Sequence, residues 1–183
     1  SVVEEVKRRL EELEKRVEDS TRDSKRTLDE SERELEESSR DNRRTVEELL
    51  DELRRLKDRE EARDVARRVV EAIKKSLDDN RRSIDELVKK NEDSVKKNEK
   101  VIKEVVDEAR KLVEKLVRRL KGGKKEEVEK VEREVREVIK KLRDLVRRSR
   151  EEHEKVIEKL KRLLEESEDT NRKVIKKVED DLR

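Results

Sequence analysis

Leu49-Leu50-Asp51-Glu52-Leu53-Arg54-Arg55-Leu56-Lys57-Asp58-Arg59-Glu60-Glu61-Ala62-Arg63 is the stretch that decides the fold. An apolar seam runs through Leu49, Leu53 and Leu56 at helical spacing. It should continue near positions 60 and 63, but those are Glu and Arg. It resumes out of phase at Ala62, Val65, Ala66 and Val69. Asp58 followed by Glu61 reads as an N-cap with its reciprocal acid three residues on. A second break is plainer. Lys121-Gly122-Gly123-Lys124 holds the two glycines of the chain, and glycine after a helix supplies the left-handed residue that ends it. The breaks predict three helices, about 2–57, 59–121 and 124–182. One continuous helix through position 58 is the alternative. Short connections make neighbouring helices antiparallel. The expected fold is therefore all-α, an up-down-up three-helix bundle filling 1–183 as a single domain.

Composition agrees with long helices. Of 183 residues, 59% are charged and 28% hydrophobic, with no aromatic residue, Cys, Met or Pro. Such charge without aromatics would suggest disorder, but the apolar residues recur at helical spacing almost without a gap. Net charge is +2, so no global field favours nucleic acid or anionic lipid. Residues 1–57 carry 15 basic and 19 acidic groups, and residues 58–121 carry 20 and 16. Mildly acidic and mildly basic segments suit neighbours that pack together. Ser1-Val2-Val3-Glu4-Glu5 has no signal-peptide hydrophobic region. No apolar run exceeds two residues, so no membrane span is expected.

The seam itself is interrupted by polar residues. In the first helix it runs Val3, Val6, Leu10, Leu13, Val17, Ser20, Ser24, Thr27, Ser31, Leu35, Ser38, Asn42, Thr45, Leu49, Leu53 and Leu56. Ser76, Asn80, Asn91, Ser94 and Asn98 stand on the seam of the second helix, and Ser149, His153, Ser167 and Thr170 on that of the third. Folding the chain up-down-up pairs the first and second helices where residue numbers total about 118. The second and third pair where they total about 244. Thr27, Asn91 and His153 then share a level, as do Ser24, Ser94 and Ser149, with Ser20 near Asn98. Elsewhere Asn42 meets Ser76 and Ser167 or Thr170, and Ser38 meets Asn80. Leu35, Ile84 and Leu160 form an apolar layer between these zones. Independent polar substitutions would not meet level with level. A buried polar group is costly without a partner, so matched layers fix one register. The plainer reading makes these positions an exposed face or a weak waist.

These features resemble de novo designed helical bundles with buried hydrogen-bond networks, including the designed heterodimer family. The matching features are the Asp58-Arg59-Glu60-Glu61 connection, the seam of Asn91, Ser94 and Asn98, and a surface of Glu, Lys and Arg. The likeness spans the whole chain and is one of style, with no active-site motif. It implies a synthetic scaffold or an association module. Agreement of helix propensity, pattern and capping separately predicts a hyperstable fold. Chains of that heterodimer family usually have two shorter helices, whereas this one has three long ones.

Chemistry is sparse. His153 has no His four residues away and Arg150 stands three residues before it, so the helical metal spacings are missing. Gly122-Gly123-Lys124 lacks the spacing and the strand of a phosphate loop. Basic doublets such as Arg81-Arg82 alternate with acids and have no stacking aromatics for nucleic acid. No Ser has the base and orienting acid of a nucleophile. The sequence therefore predicts no enzyme and no cofactor. A scaffold that needs no partner is the first reading. The second is a module that binds a partner helix or forms a homo-oligomer. Its support is the breadth of the stripes at Val101, Ile102, Val105 and Val106, and at Val138, Ile139, Leu145 and Val146.

Overall fold

A computed structural model describes residues 2–55, 59–120 and 125–181. Three helices account for nearly all of them: α1 Val2–Arg54, α2 Arg59–Arg119 and α3 Lys125–Asp181. Asp58 and the Lys121-Gly122-Gly123-Lys124 connection lie outside the described residues. Within the helices Leu, Arg, Lys and Glu favour the conformation, and neither Pro nor Gly interrupts it. Acids open each helix at Glu4-Glu5, Glu60-Glu61 and Glu126-Glu127. Bases close α1 at Arg54 and α2 at Arg118-Arg119. Both placements complement the helix dipole.

Contacts group the chain into two compact units, each built from one segment of every helix. The first comprises Ser1–Leu28 and Asn91–Glu154. Its core joins Leu10, Leu13 and Val17 of α1, Val105, Ala109 and Leu116 of α2, and Val131, Val135 and Leu142 of α3. Ser20 bonds Asn98 and Ser24 bonds Ser94, so numbers rise on α1 as they fall on α2. Asn98 bonds Ser149 and Asn91 bonds His153, which sets α2 antiparallel to α3. Exposed ion pairs Arg9–Glu108 and Arg16–Glu104 follow the same α1–α2 register. Exposed pairs contribute little to stability; the apolar core dominates.

The second unit comprises Asp29–Lys90 and Lys155–Arg183. Val46 packs with Val69 and Ile73, and Ala66 with Val70 and Val178. Leu35, Ile84 and Leu160, one per helix, are all buried. The pairs Ser38–Asn80 and Ser76–Asn42 again set α1 against α2. Each unit is an antiparallel three-helix bundle. In both, Ser20–Asn98, Ser24–Ser94, Ser38–Asn80 and Asn42–Ser76 join α1 to α2 where residue numbers total 118, and Asn98 also reaches Ser24, one turn along α1.

Ile84 is fully enclosed, at 0% exposure. Ile84→Ala should therefore lower stability by about 2–5 kcal/mol, read as a lower guanidinium midpoint at unchanged slope. A loss within the range of surface substitutions, about 0.5 kcal/mol, would contradict this burial.

Candidate functional site

The features that set this chain apart are two buried polar networks, one in each unit. In the first unit Asn98, 2% exposed, is the hub. Its Nδ2 donates to Ser24 Oγ at 2.6 Å and to Ser149 Oγ at 3.1 Å. Its Oδ1 accepts from Ser20 Oγ at 2.6 Å. Ser24 Oγ also bonds Ser94 Oγ at 2.6 Å. One amide thus ties all three helices together, and both its N–H groups are used. Leaving one unmade inside a core would cost about 1–3 kcal/mol.

The second unit centres on Asn42. Its Nδ2 donates to Ser167 Oγ at 3.0 Å and to Asn171 Oδ1 at 3.2 Å. Its Oδ1 accepts from Ser76 Oγ at 3.2 Å and from Asn171 Nδ2 at 3.1 Å. An asparagine amide offers two donors and two lone pairs, and here all of them are engaged. Asn42 and Asn171 face each other as a reciprocal amide pair. Asn80 extends the network: Nδ2 donates to Ser167 Oγ at 2.9 Å, and Oδ1 accepts from Ser38. Both lone pairs of Ser167 therefore take an amide proton.

Asn171 is fully buried, whereas the sequence points to Thr170. Thr170 is exposed, and the seam position belongs to Asn171. The reason is angular. At 3.6 residues per turn, a four-residue step from Ser167 misses its direction by roughly 40°, and a three-residue step by about 60°. The same geometry recurs in α1. Thr27 and Thr45 are half-buried, while Leu28 and Val46, each four residues beyond a network member, are buried. Ser31, 1% exposed, is a further buried polar residue of the seam.

His153 of the first unit is 0% exposed. Its Nδ1 lies 2.8 Å from Asn91 Oδ1, an acceptor, so Nδ1 carries the proton and donates. Nε2 is then a bare lone pair. Among the described residues it is the buried side-chain polar atom with no hydrogen-bond partner. Thr27, assigned by register to this level, donates its hydroxyl to the Asp23 carbonyl at 3.4 Å. Burial pushes the imidazole below its ordinary pKa, and the carboxylate of Glu152 opposes this only in part. Among the described residues no group of three or more His, Cys, Asp or Glu is placed to hold a metal. Among the described residues no helix is long and apolar enough to cross a membrane.

The depressed imidazole links stability to pH. Below the unfolded value near 6.5 the unfolded chain takes up a proton that the folded one refuses. Stability from this group is thus complete above that pH and lost as pH falls through it. Between pH 7 and pH 5 the protein should lose stability relative to His153→Leu, measured by denaturant unfolding at each pH. A gap that stays constant or closes in the opposite direction would refute the buried neutral imidazole.

No protein-family model matches the chain, and no curated protein matches it. Among solved structures, the chain is similar to a computationally designed three-helix bundle. The TM-score is 0.47 and the identity 15%, over 99% of this chain and 87% of the other.

Proposed function

We propose that the chain is a structural scaffold without enzymatic activity, a synthetic bundle whose buried amides and hydroxyls fix the helix register. The observation that carries this reading is Asn42, whose four hydrogen-bonding positions are met from two other helices. Asn42 is half-buried, and its saturated amide is accommodated in one arrangement and penalised in the others. The single histidine, fully enclosed, is out of reach of a substrate, which supports a role without chemistry. A second reading, an association module that takes a further helix, is favoured by the width of the apolar stripes on α2 and α3. Ile102, Val113 and Ile139 flank the core of the first unit and are only partly covered.

The scaffold reading is tested by removing the centre of the second unit's network. Asn42→Leu, Asn171→Leu and Ser76→Ala together delete the amide pair and the hydroxyl that serves it. Stability should hold or rise, because apolar replacements of similar shape are close to neutral or better. Register control should weaken, and light scattering should show a broader set of masses than for the parent. A variant that unfolds easily yet keeps one sharp mass would show that the network contributes stability and not specificity.

A further inference from the structure

In the first unit a groove of about 610 Å³ runs between α2 and α3. Its floor is apolar: Val113, Val135 and Ile139. Val135 is buried, while Val113 and Ile139 are only half covered. The apolar line continues along α2. Val106 lies two turns before Val113, and Val117 one turn beyond it. Val117 is 40% exposed, the large apolar side chain that stands out among the described residues. Val106, Val113 and Val117 thus stand at i, i+7 and i+11, the spacing of a helix-packing stripe on α2.

Its rim is charged in an uneven way. Arg110, Arg136, Lys140 and Arg143 line it and are exposed. None of these four enters an ion pair or a side-chain hydrogen bond with the described residues. Some other cations at helix junctions of this unit reach acids on the facing helix: Arg9 with Glu108, Arg119 with Glu5, Lys7 with Glu134. Arg150 likewise pairs with Glu99 across α2 and α3. Of the rim acids, Asp144 already pairs with Arg147 at 3.4 Å, which leaves Glu114 and Glu132. Four unpaired cations against two unpaired acids give the groove a positive rim.

We infer that this groove is a docking site for an acidic amphipathic helix on a partner chain. The helix lays a stripe of Leu and Ile on Val113, Val117 and Ile139 and sets Glu or Asp opposite the four cations. Apolar burial supplies affinity, and the charges supply selectivity and encounter rate. A second copy of this chain fits less well. Its acidic segment is residues 1–57, and the apolar stripe there, Leu10, Leu13 and Val17, is already buried in its own core. The inference rests on the second reading above, an association module, and stands apart from the scaffold reading, since loss of the networks and loss of docking are read by different measurements.

The test uses the whole chain and two labelled peptides of about four heptads. Both carry Leu and Ile at the seam positions, one flanked by Glu and the other by Lys. Fluorescence anisotropy at low salt should show the Glu peptide binding at least about tenfold more tightly, with the ratio shrinking as salt screens the rim. Ile139→Lys should weaken binding of the Glu peptide by about tenfold or more. Arg110→Glu, Arg136→Glu, Lys140→Glu and Arg143→Glu together alter only exposed positions, so the fold should persist by circular dichroism. That variant should invert the preference toward the Lys peptide. Absence of saturable binding by the Glu peptide, equal affinity for both peptides, or an unchanged preference in the charge-reversed variant would overturn the inference. So would a concentration-dependent dimer of the chain that Ile139→Lys abolishes, which would assign the groove to a second copy.

Discussion

The constraint on which the rest depends is the appetite of a buried asparagine amide for four hydrogen bonds. In water that demand is always met. Inside a helical core it is met only where hydroxyls and amides of other helices arrive at the right level, and each unmet group costs about 1–3 kcal/mol. Every asparagine of the chain, Asn42, Asn80, Asn91, Asn98 and Asn171, reaches a side-chain partner on another helix. Sliding α2 by one heptad along α1 in one direction would set Asn98 opposite Leu13 and Asn42 opposite Val69. Both amides would then face hydrocarbon. Apolar seams alone would resist such a slip weakly, because Leu and Val pack acceptably against one another in many registers.

Much of this was legible in the sequence because two independent signals agree. The phase jump between Leu56 and Ala62 and the Gly122-Gly123 pair divide the chain, and the polar seam positions then align only in one up-down-up register. Ser20 with Asn98, Ser24 with Ser94, Ser38 with Asn80 and Asn42 with Ser76 are bonded pairs in the structure. What pattern reading missed is which of two adjacent residues faces inward. Thr170 was indicated and Asn171 is buried, since an alternation by three and four leaves the choice of step open at each turn. The helix resolves it by rotation about its axis, a tertiary quantity that no local spacing contains. The full valence of Asn42 is likewise visible only once Asn171 is placed.

The histidine illustrates a different balance. Asn98 and Asn42 sit among several hydroxyls, whereas His153 meets Asn91 through Nδ1 and presents Nε2 to its surroundings without a partner. A neutral imidazole tolerates this because a bare lone pair is cheaper to bury than an N–H. An imidazolium in the same place would bury a charge and an unmatched donor together. The networks thus differ in kind. The two asparagine hubs are insensitive to pH near neutrality, and the histidine carries the polar core's response to acid.

The central claim is that the buried amides of the two networks, Asn98 and Asn171, are closed off and engaged in solution. It is tested most directly by side-chain amide exchange, followed by nuclear magnetic resonance on labelled protein. Asn98, which donates both N–H groups across helices, and Asn171, paired reciprocally with Asn42, are buried and should show separate, well-dispersed side-chain signals. Their protons should exchange with solvent orders of magnitude more slowly than a free asparagine amide, because exchange then requires opening of the core. Fast exchange at Asn98 and Asn171, with signals at the position of solvated amides, would contradict the networks and with them the origin of the register.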